Sequence, residues 1–297
     1  MRVSQMLFAS SVVLFCACSS SSSNPSTPAP LADSGSTAAT VTIASDSYTL
    51  APGDEKYFCY TQTLKEDTVI TAFTPTYGSA THHMLLAYTI AAEPDGYSEC
   101  PVLIKTTWIP MFVGGKGSSP LALPAGAGMK LAKGQQILLQ LHLQDATQSP
   151  ITESAKIEMT TQDPSLPFDP AGIYGMFNQK IAIPPTTANF PEDMNCTSDK
   201  SMKVFAGFGH MHKHGTHITV SNVGTGAMVY DADWKFDVQP TFPLDLQINP
   251  NDQFKLECQY QNDGTAPITY GESSDNEMCG FIFYYTKFDV LDGCVQQ

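Results

Sequence analysis

The sequence predicts an all-β protein built from two consecutive antiparallel, jelly-roll-like β-sandwiches. Three observations carry that prediction. Short runs rich in β-branched and aromatic residues alternate with period two. Gly, Pro, Asn and Asp bound those runs at regular intervals, as turns between short strands require. No stretch shows a long amphipathic helical period. The break between halves falls at Asp163-Pro164 to Pro170, with three prolines in its last seven residues. The expected domains are residues 45–163 and 170–297 of the 297-residue chain.

From the N-terminus, residues 1–18 read as an export signal. Arg2 supplies a positive charge, and Met6 to Ala17 form an apolar run too short to span a bilayer as a helix. It ends in Phe15-Cys16-Ala17-Cys18-Ser19, which resembles a bacterial lipobox with Cys18 lipidated. Residues 19–44 are rich in Ser, Pro, Thr and Ala and read as a disordered tether. The expected location is the bacterial cell envelope, reached through a lipid anchor in the membrane, or the medium if the chain is secreted.

Strands are expected at Ser47–Leu50, Lys56–Thr61, Asp67–Thr74, His83–Ile90, Gln136–Leu143 and Ala155–Thr160 in the first half. The second half adds Lys203–Phe208, Thr216–Asn222, Met228–Ala232, Gln253–Gln259 and Phe281–Lys287. Fifteen Lys+Arg against 29 Asp+Glu give a formal charge of −14, without any basic cluster. Such a surface repels phosphate backbones, so no nucleic-acid partner is expected.

After the signal, six cysteines remain: Cys59, Cys100, Cys196, Cys258, Cys279 and Cys294. An even number in an exported chain argues for disulfides, although counting does not choose among the pairings. Pairing within halves would join Cys59 to Cys100 and leave two bridges among the later four.

Five of the seven histidines fall in three short segments: His82-His83, His142 and His210-Met211-His212. Residues i and i+2 of a strand share a face, so His210 and His212 can reach one metal. Neighbours His82 and His83 would point to opposite faces, and both reach one ion only at a kink or strand end. His142 sits between Leu141 and Leu143, where a lone imidazole is more often a satisfied core group. His214 and His217 read as exposed or supporting histidines. Met278 lies where a polar loop enters an aromatic strand. A lone Met is normally core filler, but a thioether beside two imidazoles favours copper, the Cu(I) state above all. A Cys258–Cys279 bridge would close a loop of about 20 residues next to Met278, worth on the order of 3 kcal/mol in the chain-entropy model.

Five segments in order carry a specific resemblance. They are Tyr57-Phe58-Cys59, His82-His83-Met84-Leu85-Leu86, Leu139-Gln140-Leu141-His142, Val204-Phe205-Ala206 leading to His210-x-His212, and Ser273 to Cys279. Together they resemble the copper type II ascorbate-dependent monooxygenases, the family of peptidylglycine α-hydroxylating monooxygenase and dopamine β-monooxygenase. The resemblance implies two sandwiches facing each other across a solvent-open cleft. It implies two coppers, one held by His82, His83 and His142, and an oxygen-binding one held by His210, His212 and Met278. It also implies the bridges Cys59–Cys100, Cys196–Cys294 and Cys258–Cys279. The implied activity is hydroxylation of a substrate C–H bond with O2 and electrons from ascorbate or another one-electron reductant.

One departure bears on the substrate, a small molecule or peptide. The positions that clamp a substrate carboxylate in the peptide-amidating members are Phe208, Ile282 and Gly280 here. None pairs with a carboxylate as a guanidinium does, so a glycine-extended peptide is not expected and a less polar substrate is. Glu272, Asp275 and Glu277 could favour a cationic amine, but read more simply as a solvated acidic loop. A non-catalytic exported copper-binding lipoprotein is the alternative from a different class.

Overall fold

The computed structural model describes residues 39–100, 104–289 and 292–296. The export signal, with the lipidation expected at Cys18, lies outside them. Strands account for every named element, and no helix is present among the described residues. No described helix is therefore long and apolar enough to cross a membrane.

Three sheets dominate. A five-stranded antiparallel sheet runs in the order Gly96–Glu99, Glu55–Thr63, Gln136–Gln144, Thr81–Thr89, Trp108–Gly115. A ten-stranded sheet starts at Ala39–Ala44 in the first half and ends at Thr241–Ile248 in the second. It crosses between halves where Asp169–Asn178 pairs in parallel with Ala127–Leu131. A four-stranded sheet, Thr187–Thr197, Gln253–Asn262, Gly215–Asn222 and Met228–Asp233, completes the second half. The described residues fall into one compact unit.

The expected tether needs one correction. Residues 39–44 are a strand paired with Lys156–Gln162, and Ile43 is buried in the core. Ala-Thr-Val-Thr-Ile-Ala alternates small or polar with apolar residues, a strand pattern that the Ser/Pro composition upstream hides.

Two cores result, and one strand serves both. In Cys279–Thr286, Ile282 and Tyr284 join the first core, while Phe281, Phe283 and Tyr285 join the second. That is the period-two alternation of a strand with both faces covered. Tyr284 closes the seam: its hydroxyl donates to the Val113 carbonyl and accepts from the Val113 N–H, each at 2.8 Å.

Three disulfides, Cys59–Cys100, Cys196–Cys294 and Cys258–Cys279, have Cα separations of 5.7, 5.7 and 5.9 Å. These are the pairs that the resemblance implies, and their Cα spacing is that of ordinary bridges.

Candidate metal centre

The site grows from irregularities in two strands. In the first half, His83 pairs with His142, but the next pair is Thr81 with Leu143. His82 is therefore the extra residue of a bulge, and a bulge re-aims a side chain. That is how two adjacent histidines enter one site despite the alternation of a regular strand. In the second half, Met202–Met211 slips register between Val204 and Ala206. Met202 and Val204 face the second core, whereas Ala206 and Phe208 face the first. The slip puts His210, two residues further on, in phase with Phe208 and toward the first half.

Five imidazoles meet as a result. His82 lies 5.0 Å from His142, 5.9 Å from His210 and 6.0 Å from His212 between ring centroids. His83 is 4.9 Å from His142 and 5.0 Å from His210. None of the five is more than 8% exposed. Two three-histidine groups could hold an ion, His82/His83/His142 and His82/His210/His212, with ligand atoms within 4.8 Å of one another. The sequence reading put the two histidine sets on opposite sides of an open cleft. Here they form one buried cluster in which His82 lies within reach of both, because backbone and side-chain hydrogen bonds lace the halves together around them.

Gln239 and Glu55 do most of that lacing. Gln239 sits on a turn of the second half, where its N–H donates to Lys116 O at 2.9 Å and its carbonyl accepts from Gly115 N–H at 3.2 Å. Its side-chain oxygen accepts from His210 Nδ1 at 2.8 Å, and its amide nitrogen lies 3.1–3.2 Å from the His82 ring nitrogens. Glu55 accepts from His142 Nε2 at 2.7 Å and from Ser274 N–H and Oγ at 2.7 Å, so it ties the first-half cluster to the Met278 loop. Tyr57 stacks on His142 at 4.1 Å, and its hydroxyl donates to Glu272 O. Phe236 stacks on His82, also at 4.1 Å. Sequence reading missed Glu55, Phe236 and Gln239. Glu55 looks like an ordinary charge at a strand start, and Phe236 and Gln239 lie in a short loop without a motif.

The hydrogen bonds also fix the tautomers. A carboxylate or carbonyl oxygen only accepts, so His142 donates from Nε2, and His210 and His212 from Nδ1, the last to Asn276 O at 3.2 Å. That leaves His142 Nδ1, His210 Nε2 and His212 Nε2 buried without a partner, together with His83 Nδ1. Buried polar atoms are rarely left unpaired. A ring anchored through one nitrogen with the other free is the arrangement of metal-ligating histidine. The donor set thus fits a metal ion, and neutral imidazoles suit copper or zinc.

Electrostatics agree. Burial pushes the His82 and His83 pKa well below the ordinary range, helped by the neighbouring His142. Burial also lowers His210 to about 4, with the Gln239 hydrogen bond opposing, and His212 to about 3. These rings are neutral at pH 7, the state that binds metal. Burial disfavours an ionised Glu55, yet hydrogen bonds from His142 and Ser274 prevail and hold it at about 2.

Met278 is buried. Met211 pairs with Cys279, so the antiparallel register brings Met278 level with His212. Glu277 locks the two backbones together: it is fully buried and accepts from the N–H groups of His212, His214 and Met278 at 2.9, 2.6 and 3.2 Å. The expectation of a solvated acidic loop therefore fails for Glu277, whose pKa burial raises to about 7. Asp275 is exposed and paired with Lys213. His214 donates its backbone N–H to Glu277, and His217 bonds Asp231 and Asp233 on the outer face.

A surface pocket of about 310 Å³ reaches His82 between Thr81, Lys116, Gln144 and Phe236. A larger one of about 450 Å³, near Leu64 and Asp163, touches none of the histidines. Of these two pockets the smaller is the one relevant to the cluster, because it meets a candidate ligand.

Comparison with known proteins bears on the second half. Residues 169–297 match the C-terminal domain of the copper type II ascorbate-dependent monooxygenases. A human protein named by analogy as DBH-like monooxygenase protein 2 is 29% identical over 107 residues, 33% of this chain and 21% of that protein. The match thus spans about a fifth of that relative's length. Among solved structures, the infectious bursal disease virus VP2 subviral particle is 9% identical over 84% of this chain and 72% of that chain, with a TM-score of 0.23. Latent PorU from Porphyromonas gingivalis is 10% identical over 80% and 24%, with a TM-score of 0.20. Neither likeness is close enough to inform fold or function. The matched residues 169–297 hold His210, His212 and Met278.

Proposed function

We propose that the protein is an exported copper monooxygenase that hydroxylates a substrate C–H bond with O2 and an external one-electron reductant such as ascorbate. The observation that carries this reading is the meeting of five buried imidazoles, four with an unpartnered nitrogen, in a chain whose second half matches the family. His82, His83 and His142 would hold one copper, and His210, His212 and Met278 the other. Bound copper would supply one-electron redox chemistry toward O2. The chain's own residues set its surroundings. Gln239, Glu55 and Asn276 orient the rings, and the cores exclude water from them. The three disulfides support an oxidising, extracytoplasmic location, and the lipobox-like Cys18 supports a membrane anchor.

The substrate is small and weakly polar on this reading. Phe208 and Ile282 pack in the first core, and a Cβ at Gly280 would press on the Phe177 ring. None of the three offers a cation or side-chain donor to a carboxylate, so a glycine-extended peptide lacks its clamp.

The test is turnover by residues 19–297 loaded with copper, given ascorbate, ¹⁸O2 and a panel of substrates. One labelled oxygen atom should enter the product. Met278→Ala should lower turnover at least ~100-fold, the scale of losing a key site group, while copper stays at the first-half histidines. Copper binding without coupled O2 use across the panel would favour a copper-sequestering protein instead. Full turnover in the Met278 variant would remove that residue from the site.

A further inference from the structure

We propose that a single metal ion binds His82, His210 and His212 together, a three-nitrogen site spanning the two halves and distinct from both copper sets described above. Ligand atoms of these three residues lie within 4.8 Å of one another, and all three residues are buried. His210 and His212 each present an unpartnered Nε2, because each anchors its Nδ1 elsewhere, on Gln239 and on Asn276. His82 supplies the third nitrogen. Gln239 Nε2 lies 3.2 Å from His82 Nδ1 and 3.1 Å from Nε2. It also lies 3.1 Å from Phe236 O. A neutral imidazole has a single lone-pair nitrogen, so an ion on His82 takes the place of the Gln239 amide hydrogen, which keeps Phe236 O as an acceptor. A tetrahedral ion with bonds of about 2.0–2.1 Å to imidazole wants its nitrogens roughly 3.4 Å apart.

The consequence comes from counting. His82 belongs to both three-histidine groups, so the two cannot be filled together as three-nitrogen sites. An ion on His82, His210 and His212 leaves His83 and His142 as a pair and ties the halves through metal–nitrogen bonds. An ion on His82, His83 and His142 leaves the second half to its own ligands. His82, re-aimed by its bulge and reached by the surface pocket, is the exchangeable ligand between these states. A metal with little use for the Met278 thioether should choose the all-nitrogen site. Zn(II) is such a metal, and it is redox-silent.

The test titrates residues 19–297 with Zn(II) alone and follows the histidine ring nitrogens by ¹⁵N NMR on histidine-labelled wild-type protein. The donors differ between the two groups: Nε2 for His210 and His212, Nδ1 for His83 and His142. The first equivalent should shift His210 Nε2, His212 Nε2 and one nitrogen of His82, and leave His83 and His142 Nδ1 in place. Calorimetry should show His210→Ala and His212→Ala weakening that equivalent by ~100-fold or more, with His83→Ala, His142→Ala and Met278→Ala within about threefold. Thermal melts check that each variant folds, and the wild-type spectrum decides the matter if one does not. Zinc on the Nδ1 atoms of His83 and His142, or no binding at all, overturns the proposal. The proposal rests on the cluster being a metal site, yet its failure is separable from that of the oxygenase reading. Copper-dependent turnover with zinc on His83 and His142 sinks only the shared site. Zinc on the shared site without copper turnover sinks only the oxygenase.

Discussion

Glu55 shows what a single residue without a motif does at this centre. Its carboxylate takes the His142 Nε2 proton donor on one side and the Ser273 and Ser274 donors on the other. It thereby selects the tautomer of His142 and fixes the loop that leads to Met278. Glu55→Ala removes both restraints. Metal affinity of the His82/His83/His142 group should fall 10- to 100-fold, the usual cost of losing the partner that orients a ligand. Stability should fall by about 1–3 kcal/mol, because the Ser274 N–H loses its acceptor. Calorimetric metal titration and urea unfolding measure the two effects. Unchanged affinity would mean that Tyr57 stacking alone holds the ring. Four of the five clustered histidines stand in local patterns, His-His and His-x-His, that the sequence displays directly, whereas His142 stands alone between leucines. Glu55 and Gln239 were not legible there, since their partners lie 87 residues away for Glu55 and 29 or 157 for Gln239. A hydrogen bond across such distances leaves no periodic trace.

At the scale of elements, regular strands were legible and irregular ones were not. Every strand expected from alternation lies within or largely overlaps an observed strand. Two of the strands that escaped break the pattern: Trp108–Gly115 carries Pro110 and paired glycines, and Thr187–Thr197 is mostly polar and exposed. The bulge at His82 and the slip at Phe205 escaped too, because each concerns pairing with a partner strand and not composition. Those two irregularities nevertheless aim the histidines. Gly115 at the end of Trp108–Gly115 is the matching space requirement. A Cβ there would stand 2.6 Å from Gln239 Cβ and 3.0 Å from His82 O. Backbone and a buried side chain leave little room to yield, so Gly115→Ala should cost about 1–3 kcal/mol by overpacking. It should also push Gln239 away from His210 and His82. The expected signature is a lower urea midpoint together with altered His82 and His210 ring-nitrogen shifts; a stable variant with wild-type shifts would show that the Gln239 turn adapts freely.

On the scale of the whole molecule, the cluster makes metal-free stability depend steeply on pH. Four buried histidines, His82, His83, His210 and His212, have pKa values depressed in the fold, against about 6.5 in the unfolded chain. As pH falls below 6.5 the unfolded chain takes up protons that the folded chain refuses. Stability therefore drops with pH, by up to ~1.4 kcal/mol per pH unit for each such histidine. The window runs from 6.5 down to about 4 for His210 and about 3 for His212. Glu277 acts the other way, since a carboxyl raised to about 7 holds its proton better in the fold and adds stability as pH falls toward 4.5. One carboxyl does not offset four imidazoles, so the net slope keeps the histidine sign. Glu55, held at about 2, adds to the loss only below its ordinary range, from about 4.5 downward. Urea unfolding of the chelator-treated protein between pH 7.5 and 4.5 should show a midpoint that falls steadily below 6.5. Saturating Zn(II) at pH 7 should raise the midpoint, because the ion binds the neutral rings of the fold. His217→Ala, on the outer sheet face, should leave the slope below pH 6 essentially as it was. A flat profile from 6.5 to 4.5 would mean that the rings of these four histidines open to water and protonate without unfolding, which would overturn this account.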